Sequence, residues 1–128
     1  MILDTSALAA IFFGEPKPIS IPVLFTTLNI AGSALRISSN SQLCLKARSA
    51  PSAVRQCDVF FRRAVVIEPV TVEQAHSARQ AFLDFGKGRH KARLNIGDCF
   101  AYALAKATGE PLLFKGDDFS RTDIRAAL

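Results

Sequence analysis

The stretch that most constrains the fold is residues 95–119, where a helical pattern runs directly into a short apolar segment. Its apolar residues recur at the three- and four-residue spacing of a helix with one buried stripe; they are Ile96, Cys99, Phe100, Ala103, Leu104 and Ala107. Asn95 suits the N-cap position, and Gly109 followed by Pro111 predicts the end of the helix. The apolar run at residues 112–114 then predicts a buried parallel strand.

Aspartates occupy the ends of these predicted elements. Asp98 lies in the first turn of the predicted helix, and Asp117 and Asp118 come just after the predicted strand. Asp4 repeats the arrangement directly after the apolar residues 1–3. Open α/β sheets build their sites at strand ends and helix starts of this kind. We therefore expect the three acidic positions at one edge of a sheet, provided that their strands are neighbours.

Strand and helix signals alternate along the rest of the chain. Strands are predicted at residues 34–38 and 64–67. Further helices are predicted from Asp4 to before Gly14, at 42–48, up to 58–63, and from a Thr71–Gln74 capping box to Gly86. The last of these helices has a predicted buried face formed by Ala75, Ala78, Phe82 and Phe85, and the tail at 120–128 is expected to end in a helical turn.

This alternation is typical of an α/β protein with a central parallel sheet. A chain of 128 residues has the length of one ordinary domain, so residues 1–128 are interpreted as a single unit. Residues 17–57 are atypical, because the periodicity fades there and no Asp or Glu occurs between Pro16 and Cys57. The average charged content of proteins would place about five acids in such a stretch.

The basic residues of the chain are concentrated in one predicted loop. The net charge is +5, with a pI near 9.5, and the loop before the Asp98 helix contains Lys87, Arg89, His90, Lys91 and Arg93. A solvated loop would have the same composition. The three nearby aspartate positions favour phosphate binding instead, as expected for a polyanionic partner.

Location is predicted from what the sequence lacks. No apolar run reaches the roughly 18 residues that a membrane span needs, and Asp4 interrupts any signal-peptide pattern. The three cysteines, Cys44, Cys57 and Cys99, have no CxxC spacing, which favours buried free thiols in a reducing compartment. The expected location is the cytoplasm.

Clustered carboxylates at one sheet edge would repel each other unless a cation lay between them. Oxygen ligands favour Mg²⁺, with Mn²⁺ as a substitute, and Zn²⁺ is disfavoured because no Cys/His cluster has ligand spacing. Such a metal can activate water and offset charge on a phosphodiester. The residues thus favour metal-dependent phosphodiester chemistry. The alternative is an α/β domain whose aspartates only cap helices.

Three motifs resemble the PIN-domain ribonucleases of the VapC toxin type. They are residues 1–8 (Met-Ile-Leu-Asp-Thr-Ser-Ala-Leu), 97–104 (Gly-Asp-Cys-Phe-Ala-Tyr-Ala-Leu) and 112–119 (Leu-Leu-Phe-Lys-Gly-Asp-Asp-Phe), and the basic run at 85–90 is also similar. The resemblance implies a three-layer α/β/α domain, often dimeric, that cleaves RNA endonucleolytically with Mg²⁺ and is blocked by a cognate antitoxin.

The same resemblance implies roles for particular residues. Asp4 and Asp98 would be the principal Mg²⁺ ligands, and an acid of the Asp117–Asp118 pair, preferably Asp117, would complete the site. The family pattern also has a glutamate in the helix after the second strand, where residues 41–45 of this chain contain no carboxylate. The alternative function is therefore a catalytically impaired relative that binds antitoxin or RNA without cleavage.

Overall fold

The computed structural model describes residues 1–12, 35–39 and 51–127. The predicted helix at 42–48, the missing glutamate position at 41–45 and the cysteine at position 44 lie outside these residues. The four strands of the described part are parallel; they are β1 (Ile2–Leu3), β2 (Leu35–Ser38), β3 (Val65–Glu68) and β4 (Leu112–Leu113). They form one sheet in the order β3-β2-β1-β4. The carboxyl ends of β1 and β4 are therefore neighbours, as the placement of the aspartates requires.

Helices cover both faces of this sheet. The helices of the described residues are α1 (Thr5–Phe12), α2 (Pro51–Ala64), α3 (Val72–Phe85) and α4 (Ile96–Thr108). Residues of α3 and α4 share one apolar cluster with Ile2 and Leu112, whereas residues of α1 and α2 share a second cluster with Leu3 and Leu113. Successive strand residues point to opposite faces, so the two clusters lie on opposite sides of the sheet. The predicted three-layer α/β/α architecture is confirmed.

The ends of α3 and α4 follow the predicted capping signals. Thr71 and Gln74 form the capping box of α3, and Asn95 and Asp98 form that of α4. Gly109 ends α4 in the left-handed conformation, with φ of 68°, which a residue without Cβ adopts most readily. These local signals therefore determined where each helix begins and ends.

The predicted buried faces of α3 and α4 were partly wrong. Ala75 is exposed, as are Ile96 and Ala107, whereas residues 101–105 are all buried. Helix α4 packs against α3 on one side and against the strands on the other, so a wide arc of small side chains is covered in its middle. The first and last turns of the helix are less covered, and Ile96 at its first position is 58% exposed.

The prediction of a terminal helical turn was also wrong. The 3₁₀ turn of the tail comes first, at Phe119–Arg121, and the chain then extends beside β4. Leu112 donates its N–H to Arg125 O, and Ala127 donates its N–H to Leu112 O, both at 2.9 Å. These bonds satisfy backbone groups of β4 that an open sheet edge would leave unpaired, so the extended form is favoured over a helix.

Candidate active site

Asp4 occupies the carboxyl end of β1 and is 1% exposed. Its Oδ2 accepts hydrogen bonds from the Ser6 N–H at 2.8 Å and from Ser6 Oγ at 2.6 Å. Its Oδ1 is buried and accepts no hydrogen bond from any side chain or backbone group in the described part of the chain. Burial raises the pKa of Asp4, the Ser6 hydrogen bonds oppose the rise, and the charge of Asp118 adds to it. Asp4 is therefore an incompletely paired carboxyl group in a site that disfavours its negative charge.

Asp98 lies in the first turn of α4 and belongs to its capping box. Its Oδ2 accepts from the Asn95 N–H at 2.8 Å, and its own N–H donates to Asn95 Oδ1 at 3.0 Å. Burial, followed by the negative charge of Asp4, raises the pKa of Asp98 to about 6, and Asp118 contributes in the same direction. The hydrogen bonds of the cap lower it only in part. The negative charges of Asp4 and Asp98 therefore repel each other, although 94 positions separate the two residues in the sequence.

The turn after β4 brings the third carboxylate to this site. The Lys115 N–H donates to Ser6 Oγ at 3.0 Å, which ties the turn to the hydroxyl that also binds Asp4. Asp118 is exposed, yet its charge raises the pKa of both Asp4 and Asp98. Because Coulomb interactions weaken with distance, this coupling indicates that Asp118 lies near Asp4 and Asp98.

Helix capping accounts for only some of the oxygens of these carboxylates. The two helix starts use Oδ2 of Asp4 and Oδ2 of Asp98, which leaves the buried Oδ1 of Asp4 without a donor in the described ranges. Capping also needs no third carboxylate nearby, and the mutual repulsion of Asp4, Asp98 and Asp118 opposes folding. A cation among them would reverse the sign of this interaction.

The donor set fits a hard divalent cation such as Mg²⁺, since every group is a carboxylate oxygen. Residues 1–12, 35–39 and 51–127 nevertheless contain no group of three Asp, Glu, His or Cys side chains that forms a ready-made metal cluster. The carboxylates are thus coupled through their charges without being closed into a full ligand set. Mg²⁺ commonly binds through one or two carboxylates and keeps several waters, so a closed set of three is not needed.

Sequence reasoning missed two serines at this edge. Ser6 joins Asp4 to the turn after β4, as described above. Ser38 is 2% exposed and ends β2. Since Ile2 pairs with Arg36 in parallel register, Ser38 is level with Asp4 on the neighbouring strand. The signal that could have found Ser38 is a polar residue at the carboxyl end of a predicted strand.

The predicted basic loop, residues 87–93, joins α3 to α4. Its ends are closed by backbone bonds, since the Lys87 N–H donates to Leu94 O and the Leu94 N–H donates to Phe85 O, both at 3.0 Å. Except for the buried Ala92, its residues surround an open cavity of about 480 Å³ and are exposed. Arg121, on the 3₁₀ turn that follows Asp118, donates from Nη1 to Lys91 O at 3.1 Å. The basic loop therefore contacts the segment that carries the third carboxylate.

No helix in the described ranges is long and apolar enough to cross a membrane.

Comparison with known proteins gives the family. The PIN domain family model matches residues 1–125. VapC ribonuclease Mb0640 of Mycobacterium bovis and ribonuclease VapC30 of Mycobacterium tuberculosis are each 42% identical over 125 residues, which is 97% of this chain and 95% of theirs. Ribonuclease VapC42 of Mycobacterium tuberculosis is 41% identical over 144 residues, covering 99% of this chain and 98% of that protein.

A solved structure gives the same fold. The crystal structure of Mycobacterium tuberculosis VapC20, a toxin that cleaves the sarcin-ricin loop, superposes with a TM-score of 0.63 at 17% identity and covers 96% of this chain and 95% of that one. The family model and the relatives both match nearly the whole chain, and the solved structure shares its fold. The chain belongs to the PIN-domain family, among the VapC ribonucleases.

Proposed function

We propose that this protein is a Mg²⁺-dependent endoribonuclease that acts as the toxin of a toxin–antitoxin pair. The observation that carries the proposal is the buried, incompletely paired carboxylate of Asp4 at the end of β1, next to the turn after β4. The charges of Asp98 and Asp118 are coupled to it. The names of the relatives, which are ribonucleases across nearly the full length of the chain, support the same activity.

Asp4 and Asp98 would hold the metal, Asp118 would complete the negative site, and Asp117 would lie just outside it. A bound Mg²⁺, or Mn²⁺ in its place, would supply an activated water and offset charge on the scissile phosphodiester. Asp4 contributes a buried oxygen that needs a partner, and the Ser6 hydroxyl orients its other oxygen. Since burial and mutual repulsion raise the pKa of Asp98 to about 6, this carboxyl is mostly ionised at neutral pH and loses its charge in mild acid.

The basic loop would hold the RNA backbone next to this site. Phosphate contacts supply much of the affinity for nucleic acids and make it dependent on salt. The cationic side chains of the loop are exposed around one cavity, and they are Lys87, Arg89, Lys91 and Arg93. His90 was predicted to join them as an RNA contact, but its Nδ1 accepts a hydrogen bond from the Ala92 N–H within the loop.

The partners follow from the same proposal. A protein toxin that cleaves RNA needs a cognate antitoxin to block the site, and the cytoplasm is the compartment in which both would meet RNA. We also propose a homodimer as the state in solution, which sedimentation of the purified chain would test.

The decisive experiment is RNA cleavage by the purified chain with Mg²⁺ and then with EDTA. We expect cleavage with Mg²⁺ and none with EDTA. Asp98→Asn should reduce cleavage by about 100-fold or more, because even outer-shell partners of metal ligands typically contribute about 10–100-fold. Its cap survives, since the Asn side chain still accepts from the Asn95 N–H.

Asp84→Asn is the matched control, because Asp84 is an exposed α3 residue that accepts a hydrogen bond from Gln80. Cleavage by this variant should equal that of the wild type. Undiminished cleavage by Asp98→Asn would contradict the proposed site. A folded wild-type chain that binds RNA without cutting it would instead support the alternative of a catalytically impaired relative.

A further inference from the structure

The His90 residue is exposed, yet its ring makes contacts within the basic loop. Its Nδ1 accepts a hydrogen bond from the Ala92 N–H at 3.1 Å, and the Ala92 side chain is 0% exposed. The ring also packs edge-on against Phe85, with ring centroids 5.3 Å apart. His90 thus joins the exposed tip of the loop to its buried base.

This hydrogen bond determines which nitrogen of His90 is protonated. Because a backbone N–H donates to Nδ1, that nitrogen has no proton, and the proton of the neutral ring lies on Nε2. A doubly protonated ring would place its own N–H against the Ala92 N–H. In this loop conformation His90 Nδ1 is therefore an acceptor for the backbone.

The loop needs such a restraint because its backbone is strained. Arg93 has a φ of 55°, in the left-handed region that residues with a Cβ rarely adopt. The Arg93 N–H donates to His90 O at 3.1 Å, so His90 binds the backbone on both sides of Ala92. The Arg121 contact with Lys91 O supports the same segment from outside the loop.

We propose that His90 is a positioning residue that holds the basic loop in its binding conformation, so that four cationic side chains meet the RNA backbone without being reordered first. The inference rests on the proposed function, since it assigns His90 a place in RNA binding. Pre-ordering a loop improves affinity because less conformational entropy is lost on binding. It also replaces the interpretation of His90 as a direct RNA contact.

Two near-isosteric substitutions separate the roles. Asn places its amide oxygen where His90 has Nδ1, whereas Gln places its polar atoms near the position of Nε2. Binding of a fluorescein-labelled oligouridylate is measured in EDTA, which prevents cleavage. We expect His90→Ala and His90→Gln to weaken binding about fivefold, and His90→Asn to stay within about twofold of the wild type.

The salt dependence gives a second readout. Loss of a cationic phosphate contact would lower the slope of log affinity against log salt by about 0.7 for single strands. We expect the slope of His90→Ala to change by less than this, because a positioning residue makes no phosphate contact of its own. Binding by His90→Asn as weak as that of His90→Ala, or a slope lower by a full contact in all three variants, would overturn the proposal.

Hydrogen exchange in the RNA-free protein tests the loop itself. Exchange of the Ala92 amide should be about tenfold faster in His90→Ala and His90→Gln than in the wild type, and close to wild type in His90→Asn. Equal exchange in all variants would overturn the positioning role even if RNA binding changed. If the wild type bound no RNA, the proposed function would fail, while this measurement would still decide whether His90 orders the loop.

Discussion

Two groups of carboxylates in this molecule have neighbours of opposite charge. Across the sheet, Arg36 of β2 forms ion pairs with Glu68 of β3 and with Glu110, which precedes β4. At the carboxyl ends of the strands, the charges that act most strongly on Asp4 and Asp98 belong to other carboxylates. The first group is neutralised by Arg36 and, at Glu110, also by the Met1 amino group. Under the proposed function, a bound Mg²⁺ would neutralise the second.

The direction of the pKa shifts shows the same contrast. Lys106 and the Tyr102 hydroxyl, both in hydrogen bonds with Asp123, hold the pKa of Asp123 below its ordinary value. Burial and neighbouring carboxylates raise the pKa of Asp98 to about 6. An ionised aspartate is therefore stabilised by its neighbours at position 123 and destabilised by them at position 98. Like charges brought together by the fold, with raised pKa values, are typical of functional sites.

The largest expected effect separates the two acids after β4. Asp118→Asn should lower RNA cleavage by about 100-fold, because the charge of Asp118 reaches Asp4 and Asp98 and a carboxylate near a metal contributes at least as much as outer-shell partners. Asp117→Asn should stay within about threefold, well below the effect of an outer-shell partner. The measurement is the cleavage rate with saturating Mg²⁺. A larger loss in Asp117→Asn than in Asp118→Asn would assign the site to the other acid.

A second substitution removes the cation from the paired group. Arg36→Met removes the partner that Glu68 and Glu110 share and leaves Glu110 with only the Met1 amino group. We expect the free energy of unfolding to fall by about 2 kcal/mol. Cleavage per folded molecule should not change. Urea unfolding gives the free energy, with Arg79→Met on the exposed face of α3 as the control. A loss in Arg36→Met no greater than in that control would show that the network contributes little.

The third prediction concerns stability against pH in EDTA. Because the pKa of Asp98 is raised from 3.8 to about 6 in the folded state, the folded chain binds this proton more tightly than the unfolded chain does. The resulting stabilisation is complete below about pH 4 and is lost as the pH rises through about 6. We expect the free energy of unfolding to fall by on the order of 1 kcal/mol between about pH 5 and about pH 8, after allowing for solvent screening.

Asp98→Asn isolates this contribution, because its side chain cannot ionise. The fall with pH should be smaller in the variant by the amount that Asp98 contributes, and excess Mg²⁺ should reduce the fall in the wild type. Chemical denaturation at each pH measures both effects. The same pH dependence in the variant and the wild type would show that Asp98 is not the titrating group.

The smallest effect is expected at the exposed ion pair. Lys106 Nζ lies 2.8 Å from Asp123 Oδ2, and both side chains are about half exposed. Lys106→Met should therefore reduce the free energy of unfolding by only about 0.5 kcal/mol. Since the pKa of Asp123 is lowered, the pair's contribution is present above about pH 4 and is lost as the pH falls further. Thermal unfolding at neutral and acidic pH would detect it, and a loss as large as that of Arg36→Met would contradict the ranking.

Much of the fold was predictable because its signals are local. The capping residues of α3 and α4 satisfy backbone groups within three positions of themselves, and the left-handed Gly109 ends its helix through its own backbone. Which helix faces are buried was less predictable. Ile96 and Ala107 have the right spacing for the core, yet both are exposed, because the first and last turns of α4 are less covered than its middle.

In the candidate site, too, some residues could be predicted from local sequence signals and others could not. Asp4 and Asp98 were selected by their positions next to a strand and in a first helical turn. The choice between Asp117 and Asp118 depends on the conformation of one turn, because adjacent side chains point in different directions. His90 looked like one more member of a basic run, and only its contact with the Ala92 backbone distinguishes it from its neighbours.

Within the described residues, the sequence by itself determined the order of strands and helices and the ends of α3 and α4, and it predicted the chemical nature of the site. Each of these depends on residues close together in the chain. The tertiary structure decided which carboxylates influence each other and which cation, if any, each one meets. The physical reason is that charge interactions depend on distance in space. The parallel pairing of β1 with β4 brings together groups that lie about a hundred positions apart in the chain.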